Sequence, residues 1–409
     1  MTDLSHRPPA GEADDRLRFP MPRPSSCPFG LPAEYERLRT EEPVARARLA
    51  DGRQVWLVTR YDDVRTTLTH PGVSADLRTP GCPVPGGLPP LPAGIPVPYF
   101  RTDPPEHTTY RKLLLPRFTV RQVRNLRPRI QEIVDRTLDD MGEIGPPTDL
   151  VRTLALPVPS LVICDLLGVP YADHEFFQER AEIPLRRTST PHEVLTAMGE
   201  LRGYLGELLE SKRRDPGEDI LSTLAAVDSE GGQADRIVAT AQALLNAGHE
   251  TTANMISLST LLLLDRPELV AELREDAARW PHAVEELLRY FSIGDLAAAR
   301  AAVEDVEIGG QRIRAGDGIY ALVGAANRDR DAFTDPEEFD IGRADQPHVA
   351  FGFGVHQCIG QNLARVELEI VLESLFRRFP KLRLDTDPAG LSFKNDSVVY
   401  GLHALPVAW

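Results

Sequence analysis

Cys358 sits in the run Phe351-Gly352-Phe353-Gly354-Val355-His356-Gln357-Cys358-Ile359-Gly360, directly before the helical pattern Gln361-Asn362-Leu363-Ala364-Arg365. A thiol placed there meets the positive end of a helix dipole and a set of backbone N–H groups, which lower its pKa and favour the thiolate. Glycines at 352, 354 and 360 let the backbone approach something flat and large, and His356 adds a donor on the same loop. No second Cys or His stands at metal-chelating spacing, which is wrong for zinc and right for the axial ligand of a heme iron. A buried structural cysteine beside a glycine turn is the blander alternative. A second cluster, Ala247-Gly248-His249-Glu250-Thr251-Thr252, lies inside a long helical pattern. A zincin site needs another His three residues after the Glu, and none is there. Gly in a helix costs about 1 kcal/mol relative to Ala. Gly248 followed by two threonines therefore points either to a local break in the hydrogen-bond ladder or to tight packing.

The elements that must position these groups are mostly helices. Apolar periodicity predicts helices over Ala33–Arg39, Tyr61–Leu68, Arg117–Met141, 157–168, 173–183, 192–213, 235–264 and Pro281–Tyr290. Gly52–Arg60 is rich in β-formers and reads as a strand, with shorter β pieces at Val303–Ile308, Ile319–Val323 and Val398–His403. Between Pro80 and Pro98 lie eight prolines and four glycines, a long irregular loop. The expected fold class is mainly α with small β-sheets, as one domain over 19–409 behind a polar leader at 1–18. The formal net charge of −15 argues against nucleic acid as a partner. Cys27, Cys82, Cys164 and Cys358 lack paired spacing, so no disulfide framework is implied and a reducing compartment is expected. The first 27 residues have no apolar core of a signal peptide, and the run Met255–Leu264 is too short to span a bilayer.

Phe351-x-x-Gly354-x-His356-x-Cys358-x-Gly360 resembles the heme-thiolate signature of the cytochrome P450 family, and Ala247–Thr252 resembles that family's oxygen-activation motif. The resemblance covers the chain from about residue 20 onward. It implies the cytochrome P450 fold and heme b held by Cys358, with Phe351, Gly352, His356, Gly360, Ala364, Ala247 and Gly248 against the cofactor. Glu250 and Thr251 would relay protons for oxygen activation, a combination that suits the chemistry. His107 and Arg111, at i and i+4, would meet the heme propionates together with Arg300 and His356. Glu286 and Arg289, at i and i+3, would join Arg343 in a buried structural triad. Microsomal members carry a membrane anchor and this chain has none, so it looks like the soluble, cytoplasmic bacterial branch. Stretches such as Leu156–Ser160 and Gly168–Asp173 resemble the streptomycete-type subgroup.

From His107 to Gln131 there is no Asp or Glu while Arg and Lys accumulate. Such a run is usually a solvated helix face. In this family the region receives an acidic ferredoxin, which makes Arg111, Lys112, Arg117 and Arg121 the expected docking surface. The implied substrate pocket comprises Leu88, Leu91, Ile95 and Val97 of the Pro/Gly loop and the 183–195 turn. Ala243, Leu244, Asn246 and Ala247, then Ile293–Ala297 and Val398, complete it. Asn246 either bonds a polar substrate group or bonds its own helix backbone. The expected function is a monomeric monooxygenase. It would hydroxylate or epoxidise a medium-to-large apolar molecule, such as a polyketide or macrolide, a steroid-like compound or a xenobiotic. It would use O2 and electrons from NAD(P)H through a reductase and ferredoxin. A heme-thiolate peroxygenase or isomerase is a rival, though such enzymes commonly depart from the acid–alcohol pair. A non-enzymatic heme sensor is another, which would normally bring an output module.

Overall fold

The computed structural model describes residues 17–24, 29–84, 96–228, 232–344 and 347–409. Its larger part is helical. The long helix Ala234–Leu264 runs through it, packed by Pro157–Leu167, Pro191–Arg214, Trp280–Phe291 and Gln361–Arg378. Ala234–Leu264 is buried from Ile237 through Leu263 except along one line, and its apolar residues are interrupted by buried polar ones such as Gln242, His249, Glu250 and Asn254. The two helices of the predicted 117–141 stretch are Glu106–Phe118 and Val120–Ile144. The break falls at Thr119, whose extended backbone ends the first helix while its hydroxyl accepts from Gln122 N at 3.3 Å.

The smaller part is built on a sheet of Val44–Arg48, Gln54–Val58, Gly318–Ala321, Ala299–Ala302 and Val73–Ser74 in that spatial order. Gln54–Val58 pairs parallel with Gly318–Ala321 and antiparallel with Val44–Arg48. Strand alternation sends Trp56 and Val58 into one apolar cluster and Val55 and Leu57 into another, so the sheet is buried on both faces. The sheet thereby seats Arg300 of Ala299–Ala302 in the interior.

Several expectations are corrected. Leu17 and Arg18, assigned to the leader, pair with Arg48 through its N–H to Leu17 O at 2.7 Å and an Arg18–Arg48 bridge. Of the expected β piece Val303–Ile308 only Val306–Ile308 is a strand; a bend before it separates it from the strand Ala299–Ala302, which was not expected. Val398–His403 forms no strand beyond the isolated bridge Phe393–Leu402, and the C-terminal strand is Pro406–Ala408. The helix Pro267–Glu275 and the strand Val44–Arg48 escaped the periodicity argument. Among the described residues no helix is long and apolar enough to cross a membrane.

Candidate active site

Cys358 lies between the single helical turn Gly354–His356 and the helix Gln361–Arg378. Its N–H donates to Phe351 O at 2.9 Å, and Gln357 N to Gly354 O at 3.1 Å, which closes the loop on itself. Gly354 has a φ of +77°, and a Cβ there would lie 2.7 Å from Thr69 Cγ2, so this turn requires glycine. Of the described cysteines, Cys82 and Cys164 are buried and Cys358 is exposed. Exposure is local: protein surrounds the thiol at longer range, and that burial pushes its pKa up. The Gly360 and Gln361 N–H groups and the charges of Arg111 and Arg365 pull it down, and they lose. The expected net lowering is thus overturned, because desolvation outweighs the helix terminus. A coordinated metal would reverse this by deprotonating the thiol outright.

The accessible positions in the otherwise buried helix Ala234–Leu264 centre on Ala243, Ala247 and Thr251, with Asn246 and Gly248 beside them. Four-residue spacing puts the first three in one line. Gly248 itself is packed rather than open: a Cβ there would lie 2.8 Å from Ile163 Cδ1, so the tight-packing alternative holds and a cofactor contact does not account for this glycine. The helix is continuous through it, and Thr251 Oγ1 donates to Ala247 O at 2.7 Å.

Cations gather beside the cysteine loop. The rings of His107 and His356 lie 4.1 Å apart. Burial, then Arg300, His107, Arg101 and Arg111, push His356 down to about 3, so it is a neutral imidazole. Burial and then the neighbouring Arg101 lower Arg300 to about 10. Arg111 Nη2 donates to Gln357 O at 2.7 Å, tying Glu106–Phe118 to the loop, and Arg300 Nη1 donates to Ala299 O at 2.8 Å. Both ring nitrogens of His107 and Nδ1 of His356 are buried without a partner. Asp103, 3.9 Å from His356 Nε2, is the carboxylate nearest that imidazole. Orphaned buried donors among arginines are the chemistry of an anion site. Together with the accessible thiol, they fit a heme carrying two propionates. Arg101, in the turn Tyr99–Arg101, belongs to this cluster and was missed, because no spacing motif marks it.

The expected triad forms. Arg289 Nε and Nη2 each donate to Glu286 at 2.7 Å, and Arg343 Nε donates to Glu286 Oε1 at 3.3 Å. Arg289 also reaches the carbonyls of Asn327 and Pro336. Asn327 Oδ1 accepts from Val349 N at 2.8 Å, which carries the network to the start of the cysteine loop. A second buried arginine, Arg328, bonds Pro336 O and Tyr290 O and was not foreseen.

Glu250 is buried and does not bond Thr251. It pairs with Lys394 Nζ, 144 residues away, and Asn254 Nδ2 donates to it at 3.4 Å. Burial pushes the Glu250 carboxyl up, but Lys394, His249 and these hydrogen bonds outweigh it, and its pKa is lowered. Lys394 gave no sequence signal, since nothing local links it to the helix.

Of the pocket residues, Leu88, Leu91 and Ile95 lie outside the described residues. Ile293, Leu185 and Val398 are brought together: Val398 N donates to Leu185 O at 2.8 Å and Tyr400 N to Ile293 O at 3.3 Å. Ala297 is exposed and its carbonyl accepts from Arg101 at 3.0 Å. Leu244 and Val97 are buried, Leu244 within the larger core. Asn246 Oδ1 is buried and unpartnered, which leaves it open to a donor. On the basic run, Lys112 and Arg121 are exposed. Arg111 turns inward and Arg117 Nη2 bonds Thr223 at 3.1 Å, so both are withdrawn from an open stripe.

A family model described as "Cytochrome P450" matches residues 94–399. The chain is 44% identical over 412 residues to "Vitamin D3 dihydroxylase" of Streptomyces griseolus, covering 100% of each. It is 46% identical over 406 residues to "20-oxo-5-O-mycaminosyltylactone 23-monooxygenase" of Streptomyces fradiae, covering 97% of this chain and 94% of the other. Among solved structures it is similar to the mycinamicin VIII C21 methyl hydroxylase of Micromonospora griseorubida bound to mycinamicin VIII. The TM-score is 0.88 at 42% identity, covering 96% of this chain and 100% of that one.

Proposed function

The chain belongs to the cytochrome P450 family and is a monooxygenase of the heme-thiolate type, and from that premise we propose that it hydroxylates or epoxidises a medium-to-large apolar molecule. Polyketide lactones and steroid-like compounds are the first class to test, since relatives are named for a mycaminosyltylactone and for vitamin D3. Electrons come from NAD(P)H through a reductase and a small acidic ferredoxin, the cofactor is heme b, and the enzyme works as a cytoplasmic monomer.

The observation that carries the reading is the accessible Cys358 thiol on the loop at which both ring nitrogens of His107 and Nδ1 of His356 are left without partners. When bound, the heme supplies the oxygen and electron-transfer chemistry. Cys358 would hold it through its thiolate, and Phe351, Gly352, Gly360 and Ala364 would flank it. His107, Arg101, Arg111, Arg300 and His356 hold its anionic substituents by charge-assisted hydrogen bonds. Ala243 and Ala247 keep one line of the long helix free of bulk, so substrate carbon can approach. Thr251 holds a hydroxyl on that line, and Glu250 stands behind it as the acid. Asn246 Oδ1, lacking a donor, orients a substrate hydroxyl. Lys112 and Arg121, with the exposed apolar Leu115 and Val120 between them, form the ferredoxin-docking face.

The test is the absorption spectrum of the reduced, carbon-monoxide-bound protein. A red-shifted thiolate band in the wild type and its loss in Cys358→Ala are expected. An unshifted band in the wild type overturns the ligand assignment. Titration with a glycosylated macrolactone and with vitamin D3 then ranks the substrate classes by spectral shift.

A further inference from the structure

Lys394 and Glu250 form an ion pair whose side chains are only 9% and 5% exposed. Lys394 belongs to the turn between Phe393 and Leu402, which bridge each other, and its N–H donates to Gly401 O at 2.8 Å. This turn lies directly against the long helix: a Cβ on Gly401 would be 2.1 Å from Asn254 Oδ1, so glycine is what admits that amide. Asn254 Oδ1 accepts from Lys394 Nζ at 3.2 Å while its Nδ2 serves Glu250. The other titratable neighbour on the helix is His249, kept neutral by burial, with Nδ1 2.9 Å from Leu245 O; Glu182 faces that imidazole from His174–Glu182. Thr251 directs its hydroxyl to Ala247 O, so the acid and the alcohol are separate in this state. On its other side Lys394 lines a surface cleft with Arg23, Asp295, Asn395, Ser397 and Tyr400.

A buried ion pair is a weak device for stability, since desolvation offsets most of its attraction. A charged hydrogen bond does, however, hold a carboxylate in one direction. We infer that Lys394 is a positioning residue for proton supply: it holds Glu250 as a carboxylate turned away from Thr251, and protons reach Glu250 from this cleft when the pair opens. The inference rests on the proposed acid role of Glu250 behind Thr251. The balance involves proton movements alone. When the pair opens, a hydronium ion in the cleft gives one proton to the Glu250 carboxylate, leaving water and a carboxylic acid, while Lys394 keeps its charge. Glu250 passes that proton to the Thr251 oxygen as the hydroxyl gives its own to the dioxygen under reduction, which returns Glu250 to the carboxylate that Lys394 holds.

The experiment compares Lys394→Met, Lys394→Arg and Glu250→Gln in the heme-loaded enzyme. Infrared spectra of the resting protein near neutral pH should show, in Lys394→Met, a protonated carboxyl band beyond the one that Glu367 gives in every variant. Wild type and the double variant Lys394→Met/Glu250→Gln should lack it, because burial acts unopposed on Glu250 once the ammonium is gone. Product formed per electron pair should fall by about tenfold in Lys394→Met, with its pH profile displaced, and Lys394→Arg should restore both. A missing band, or unchanged coupling in Lys394→Met while Glu250→Gln loses coupling, overturns the role of Lys394 alone. Unchanged coupling in Glu250→Gln removes the acid role and this inference with it. Should Lys394→Met fail to fold, Lys394→Gln removes the same charge and carries the same readouts.

Discussion

Glu367 is a buried carboxyl that neither the site nor the triad uses, and its replacement by glutamine gives a quantitative test of how dry the cysteine-side helix is. The residue lies on Gln361–Arg378 with 2% of its surface exposed, and Oε2 has no partner. Burial alone raises its pKa from 4.5 to about 8. Between those values the folded state keeps a proton that the unfolded chain has released. Stability therefore falls as pH rises, by about 1.4 kcal/mol per pH unit. Over that interval the loss accumulates to about 5 kcal/mol. The glutamine side chain has the shape of the neutral acid and no such slope. Urea unfolding of wild type and Glu367→Gln at several pH values between 5 and 8 should therefore give curves that agree at the acid end. They should diverge in favour of glutamine by about 3–5 kcal/mol at the alkaline end. Parallel curves would refute the argument, since they mean that the folded protein ionises Glu367 or supplies it a partner.

Glu286→Gln should cost about 3–5 kcal/mol in urea unfolding, because it leaves Arg289 charged and buried. Asp305→Asn, which breaks a pair exposed by 76% and 43% at Arg312 and Asp305, should cost about 1 kcal/mol or less; equal costs would contradict the burial argument. The double charge reversal Lys112→Glu/Arg121→Glu should raise the ferredoxin KM and flatten the salt dependence of turnover; turnover that keeps its wild-type KM and salt response removes that docking face. Asn246→Val should weaken binding of a hydroxyl-bearing substrate by about tenfold, and unchanged spectral shifts and product position remove its proposed role.

The chemistry-bearing residues were legible wherever the motif is local. Cys358 with its glycines and His107 with Arg111 are each read within a few residues, and the structure places each as a unit. The triad was legible in part, since Glu286 and Arg289 share a helical turn, whereas Arg328 and the carbonyls that receive it come from irregular chain. Lys394 and Arg101 were illegible for one reason. Their partners are 144 and 196 residues away, and only the packed fold brings them together. Boundaries failed where one residue overrides periodicity: Thr119 caps a new helix inside a run whose apolar spacing continues across it. The thiol misled in the opposite way, because a helix N-terminus is visible in sequence and desolvation is not.

Buried charge in this protein comes in two kinds, and the contrast separates holding the chain together from holding a ligand. Around Glu286 the guanidiniums of Arg289 and Arg343 share a carboxylate, so charge is balanced within the chain itself. Around His356 the cations Arg101, Arg111 and Arg300 oppose one another, and imidazole nitrogens are left without partners. An arrangement that repels itself raises the energy of the protein alone and becomes favourable when an anion is added. Arg300→Leu therefore relieves repulsion from Arg101 and sacrifices one bond to the neighbouring Ala299 carbonyl. Its unfolding free energy in urea should stay within about 1 kcal/mol of wild type, unlike that of Glu286→Gln. Transfer of heme to an excess of a scavenging apoprotein should instead accelerate by about tenfold to a hundredfold, the value of one hydrogen bond to a charged group. A variant that unfolds easily yet keeps its heme would place Arg300 with the balanced network and undo the distinction.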